Sequence, residues 1–301
     1  MKRGRSMSIE AFKNSEKKKT TARAVIPVAV ISVSFAAIFI RLSEAHPVAI
    51  AFYRMFFSAL LLLVMIPRYI PILKTLSRRE WLTLVTTGLF LAVHFAFWIT
   101  SLEFTSVASS AILVSTHPLL VAWISSWYLG QSTSAKAYAG IGIALVGVSI
   151  MTISNYRLGG RFLLGDILAL VGMLALAMYI LRGGKIRQNM DVVPYAFTVY
   201  LFSSFFLALF SLPFSTTFKV YPAREYLLFF ALAAVPTVLG HTLFNWGLKH
   251  IKARIISISF LGEPLGATIL AFIILKEVPP DLTMLGGAVT LIGIYVCSRF
   301  E

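Results

Sequence analysis

The sequence predicts an all-α integral membrane protein, ten transmembrane helices arranged as two inverted five-helix repeats, and three observations carry that expectation. Of the 301 residues, 58% are hydrophobic and only 13% are charged, with a mean hydropathy of +0.84; a water-soluble protein is about a quarter charged. Ten apolar runs close to the length that crosses a bilayer follow one another with short connectors. The two halves of the chain also match each other at a nearly constant offset.

The runs are Ala24–Ile40, Val48–Ile66, Trp81–Ile99, Val107–Tyr128, Tyr138–Ile153, Leu164–Leu181, Tyr195–Leu212, Tyr226–Trp246, Ile255–Leu275 and Met284–Val296. Several fall short of the roughly 20 residues a spanning helix needs, so their ends are expected to extend into the connectors. In lipid each run must be helical, because an open strand or loop leaves backbone N–H and C=O groups without partners. The alternation of a membrane barrel is missing. Gly183-Gly184 reads as a turn after the sixth run.

Charge sets the expected orientation. Residues 1–23 form a basic tail with eight Lys and Arg, expected to be a disordered cytoplasmic arm. Counting the connectors on the tail's side, twenty Lys and Arg lie on that face and six on the other. Basic connectors stay cytoplasmic, so both termini are expected inside the cell membrane. The net charge of +15 sits beside apolar runs, where it meets lipid headgroups; no basic, aromatic-rich surface points to nucleic acid. The single Cys297 has no partner for an intrachain disulfide.

The repeat is most specific at proline and glycine. An offset of 146 puts Pro118 on Pro264, Gly140 on Gly286 and Gly147 on Gly293, and an offset of 147 puts Pro47 on Pro194. Residues 24–153 and 164–299 therefore read as the two repeats. Since five is odd, the second enters the membrane from the opposite side, the inverted-repeat build of secondary transporters.

The segment from Phe260 through Leu261-Gly262-Glu263-Pro264 to Lys276-Glu277 resembles the signature of EamA-type transporters of the drug/metabolite transporter superfamily. Its counterpart in the first half runs from Ser115-Thr116-His117-Pro118 to Gln131. Ten runs in two halves and an Arg in the second run, Arg54, are similar to that family over nearly the whole chain. The resemblance implies export or exchange of amino acids or other small metabolites. His117 and Gln131 depart from the usual pattern, and the first run lacks the acidic residue of the related small multidrug resistance proteins.

Polar groups inside the runs are the candidate site, since ionisable side chains in a bilayer are costly. Glu263 and its repeat mate His117 fall near the expected pseudo-two-fold axis. Each is either a solute or proton group or a hydrogen-bonding anchor of a proline-broken helix. His94, Trp98 and Ser101 share one helical face at i, i+4, i+7, and His241 and Asn245 repeat the i, i+4 spacing. These read as cavity lining for a small-molecule solute or as helix packing. Arg54 invites a carboxylate-binding role, but it lies two turns from the outer end, so snorkelling or pairing with Glu44 or Glu103 is the favoured expectation. Gly140, Gly142, Gly147, Gly286, Gly287 and Gly293 suit close packing between repeats or the face of a homodimer.

No metal-ligand spacing, phosphate-cradling glycine loop or nucleophile–base pair accompanies these residues, so neither cofactor nor ATP-driven chemistry is expected. The function read from the sequence is a secondary transporter, not an enzyme, working by alternating access around a central cavity. An integral-membrane lipid-modifying enzyme or a channel is the alternative.

Overall fold

A computed structural model of the chain describes residues 25–129, 134–187, 189–215, 219–247 and 259–300. The basic tail and Gln131 lie outside the described residues. Every described element is helical. We number the helices α1 (Val25–Leu42), α2 (Pro47–Leu63), α3 (Ile66–Lys74), α4 (Arg78–Ser101), α5 (Val107–Val114), α6 (His117–Leu129), α7 (Ala135–Leu158) and α8 (Gly160–Arg187). They continue as α9 (Val192–Ser211), α10 (Ala223–Leu232), α11 (Thr242–Gly247), α12 (Gly262–Leu270) and α13 (Asp281–Phe300).

Eight helical segments among the described residues are long and apolar enough to cross a membrane. Two further apolar helices are shorter: α2, which bends by 73° into α3, and the stretch Gly262–Leu275. α4, α7, α8 and α13 extend past their apolar runs at both ends, whereas α2 stops at Leu63, short of the run's expected end at Ile66. Ser77 and Glu80 close a capping box at the start of α4, and Ser106 and Ser134 accept from Ser109 N and Ala137 N to cap α5 and α7. The expected turn at Gly183-Gly184 is absent: α8 runs through both residues. There the missing side chain serves contact, since a Cβ on Gly183 would collide with the Tyr195 hydroxyl.

Large apolar side chains on the outer faces of α7, α8, α9, α12 and α13 are exposed, as lipid contact requires. The helices meet one another through small residues and buried aliphatics. α7 lies along α13, α4 along α8, and α9 against both α2 and α4. α5 meets α8 and α12, while α1 meets α10 and α12. At the α7–α13 contact a Cβ on Gly147 would sit 2.6 Å from the Gly286 carbonyl oxygen, and one on Gly286 would sit 2.7 Å from the Gly147 carbonyl oxygen. Gly140, Gly147, Gly286 and Gly293 thus let these two backbones touch, whereas Gly142 faces open space.

Two helices break at proline. Between α5 and α6 the chain turns at Ser115-Thr116, and Pro118 falls in the first turn of α6, where a missing N–H is harmless. Inside the other, Pro236 lies in a π-helical stretch, Ala233–His241, that joins α10 to α11. A proline there cannot donate to the carbonyl four residues back, Leu232 O; in the π register that carbonyl lies five residues before Thr237, whose hydroxyl also donates to it at 2.8 Å.

Candidate functional site

The π-helical stretch carries Thr237 to the fully buried Arg54 of α2. Arg54 Nε donates to Thr237 Oγ1 at 2.8 Å. The guanidinium lies over the faces of two aromatic rings of α4, its carbon 4.3 Å from the centroid of Phe95 and 5.7 Å from that of Trp98. A cation over a desolvated aromatic face gains about 2 kcal/mol, well below the penalty for burying an unpaired charge.

The expected snorkelling or pairing of Arg54 is not found. Arg54 is 0% exposed. Glu44 instead pairs with Arg224 at 3.4 Å, and the Glu103 carbonyl accepts from Arg161 at 3.1 Å. α2 packs against α4, α9, α10 and the π-helical stretch, and side chains of α4 and of that stretch enclose Arg54.

Of the other sequence candidates, Trp98 lies directly against this arginine. His94 stacks on Trp98, with ring centroids 5.7 Å apart and planes 7° from parallel. Its Nδ1 lies 2.9 Å from Gly172 O on α8; a carbonyl only accepts, so Nδ1 carries the hydrogen. That reach depends on Gly172, where a Cβ would approach Trp98 N to 3.2 Å. His117 at the start of α6 bonds back to Val114 O at 3.2 Å, and both His117 and His241 abut the Phe260 ring, at 6.4 and 6.3 Å. His94, His117 and His241 lie within electrostatic range of one another, and Arg54 within range of His94, His241 and Glu263. Glu263 is half-buried in the first turn of α12, whose backbone is tied to α1 by Ser34 Oγ donating to Glu263 O at 3.5 Å. Asn245 lies on α11, and its side chain is outside the described residues. Ser101 departs from the group: it bonds Ser110 Oγ at 2.7 Å and serves the α4–α5 contact.

Arg54, which the sequence offers as a carboxylate-binding candidate, is buried against Phe95 and Trp98, and another feature has no signal in the sequence. A second buried network joins Asp166 of α8 to Asn155 of α7 (2.8 and 3.0 Å), Thr105 (2.9 Å) and Ser109 of α5 (3.2 Å). All of Asp166's partners donate to its carboxylate, so this network is a closed clasp between helices.

At the end where α1 meets α2, Glu277 shows what the last residue of the signature does. It accepts from Val107 N at 2.7 Å, capping α5, and pairs with Arg41 at 3.3 Å, which in turn donates to Leu102 O. Beside this staple opens a cleft of about 120 Å³ lined by Arg41, Pro47, Ile50, Ile99 and Leu102 among others. Ile50 and Ile99, its deepest residues along α2 and α4, lie one helical turn from Arg54 and from Phe95.

A bundle of apolar helices enclosing a polar and aromatic centre is the build of a multi-pass membrane protein. A protein of known crystal structure shares the fold, with a TM-score of 0.65 at 16% identity over 93% of this chain and 97% of that one. The sequence model of the EamA-like transporter family matches twice, over residues 22–153 and 163–299, and the chain belongs to that family. It is similar to an uncharacterized transporter of Archaeoglobus fulgidus, 27% identical over 88% of this chain and 92% of the relative. It is also similar to the inner membrane protein YtfF of Escherichia coli, 23% identical over 75% and 78%. The protein is accordingly a membrane transporter and not an enzyme.

Proposed function

We propose that this chain is a secondary transporter of small organic metabolites such as amino acids, built as ten transmembrane helices in two inverted five-helix repeats. In this reading α1, α2, α4, α5–α6 and α7 are the first repeat, and α8, α9, α10–α11, α12 and α13 are the second. The observation that carries it is the pattern of helix contacts. Shifting each helix by five in the series pairs α2 with α9, α5 with α12 and α7 with α13, and all three pairs are in contact. The same shift turns the α4–α8 contact into α10–α1, α4–α9 into α10–α2, and α5–α8 into α12–α1, each of which also occurs. The double match of the family sequence supports the same division.

A bundle with this internal symmetry has two rearrangements of equal kind, one opening to each side, which is the geometric basis of alternating access. Solute would bind at the cluster of His94, Trp98, His117, His241 and Glu263, with Asn245 on the adjoining turn of α11. Glu263 is the group we assign to coupling: a proton and a solute exchange at the same centre. Export or exchange across the cell membrane, with both termini cytoplasmic, completes the reading.

The test is uptake and counterflow of a panel of amino acids and related metabolites in proteoliposomes, with and without an imposed proton gradient. At least one solute should accumulate in counterflow, and Trp98→Ala should change its apparent affinity at unchanged purification yield. Absence of flux for every solute in the panel overturns the reading.

A further inference from the structure

We infer that the site selects solutes bearing a single carboxylate, and that Arg54 holds that carboxylate. The inference rests on the transporter reading above and adds the chemical class of the solute.

A guanidinium presents five N–H donors and no acceptor. Nε is used by Thr237. Nη1 and Nη2 are fully buried and have no hydrogen-bond partner among the described residues. These two nitrogens form the edge that recognises a planar oxyanion through two parallel bonds. The indole Nε1 of Trp98, beneath the same guanidinium, is likewise buried and without a partner. The centre therefore holds three unanswered donor groups on two side chains, walled by the rings of Phe95 and Trp98. Neutral aromatic faces supply no lone pair of oxygen to any of them.

Structural arginines in proteins are buried against carboxylates or carbonyls that use their donors. Arg54 is held by one bond at Nε, which fixes the plane of the fork and leaves its outer edge without a hydrogen-bond partner among the described residues. Acceptor-rich ligands complete such a site; a cation or an amine would add more donors. Arg54 supplies one positive charge, which one carboxylate on the ligand neutralises. A second full negative charge on the ligand would go unneutralised, which favours a monocarboxylate over a phosphate or a dicarboxylate. The aromatic walls favour a flat or branched apolar body attached to it.

Purified protein in nanodiscs is heated with benzoate, phenylacetate, indole-3-acetate, 4-methylpentanoate, L-leucine or L-phenylalanine, and in parallel with the primary amide of each. The expected result is that at least one acid raises the melting temperature and that its amide binds about 100-fold more weakly or not at all. Arg54→Lys should weaken the acid about tenfold, and Arg54→Gln should abolish the difference between acid and amide. Equal stabilisation by acid and amide, an undiminished difference in Arg54→Gln, or no stabilisation by any acid overturns the inference. Should Arg54→Gln fail to fold, the comparison of acid with amide on the unaltered protein still decides. Counterflow of the same compounds separates the two readings. Flux of the amides equal to that of the acids leaves the transporter standing and removes the role of Arg54. Acid-selective binding without any flux keeps the Arg54 site and removes the transporter.

Discussion

Thr237 Oγ1 accepts from Arg54 Nε at 2.8 Å while donating to Leu232 O at 2.8 Å, so a single hydroxyl ties the buried arginine to the backbone of the π-helical stretch. Removing that hydroxyl strands Arg54 Nε. Thr237→Val, of nearly equal volume, should lose about 1–3 kcal/mol of stability and lower transport per folded molecule. Thr237→Ser should retain most of both. Melting temperature and counterflow rate on the same preparation distinguish them, and a Val variant indistinguishable from the unaltered protein would refute the anchoring role.

Glu263 should couple solute movement to protons. Its replacement by Gln keeps the shape of the side chain and the Ser34 bond to the backbone carbonyl, but cannot take up and release a proton. Counterflow in Glu263→Gln proteoliposomes should persist, while acceleration of uptake by an imposed proton gradient disappears. Gradient-driven flux at the unaltered level in this variant makes Glu263 an anchor of α12.

The α7–α13 seam should be intolerant of any side chain. In Gly147→Ala the new methyl meets Thr290 and the Gly286 carbonyl oxygen, both backbone-held, so the helices must separate. Overpacking of this kind costs about 1–3 kcal/mol. Gly142→Ala, which meets nothing within 4 Å, is the matched control and should melt within a degree or so of the parent. Equal melting temperatures for the two variants would show that the seam is loose.

The Asp166 clasp makes a prediction of the opposite kind, in which charge is lost and space is kept. Asp166→Asn exchanges one acceptor oxygen for a donor, which even at the Oδ2 position faces the Asn155 amide that already donates there. About 2–3 kcal/mol of stability should be lost, with no change in which solutes are carried. Altered solute choice at unchanged stability would move Asp166 into the transport path.

For topology, a cysteine at Arg157 in a Cys297→Ser background should react with an impermeant maleimide from outside intact cells, and a cysteine at Ser15 in the tail should not. Arg157 is exposed beside Gly159, at the α7–α8 turn. Labelling of the tail from outside would reverse the orientation.

The sequence by itself determined that this chain is a helical membrane protein. A backbone in lipid has one way to satisfy its hydrogen bonds, and apolar run length measures the bilayer directly. The family was also legible, through the Glu263-Pro264 segment and its match at His117-Pro118. Helical spacing put Trp98 with His94, and they stack. The face of α2 that carries Arg54 was not legible, because Phe95 comes from α4 and Thr237 from a stretch 183 residues away along the chain. Nor was the Asp166 clasp, whose partners come from the Thr105 turn, α5 and α7. Local pattern reports what a segment does to its own backbone, whereas the surroundings of a buried charge are fixed by the packing of distant helices. Tertiary structure alone therefore decided that Arg54 stands unanswered at the centre, not at the lipid surface.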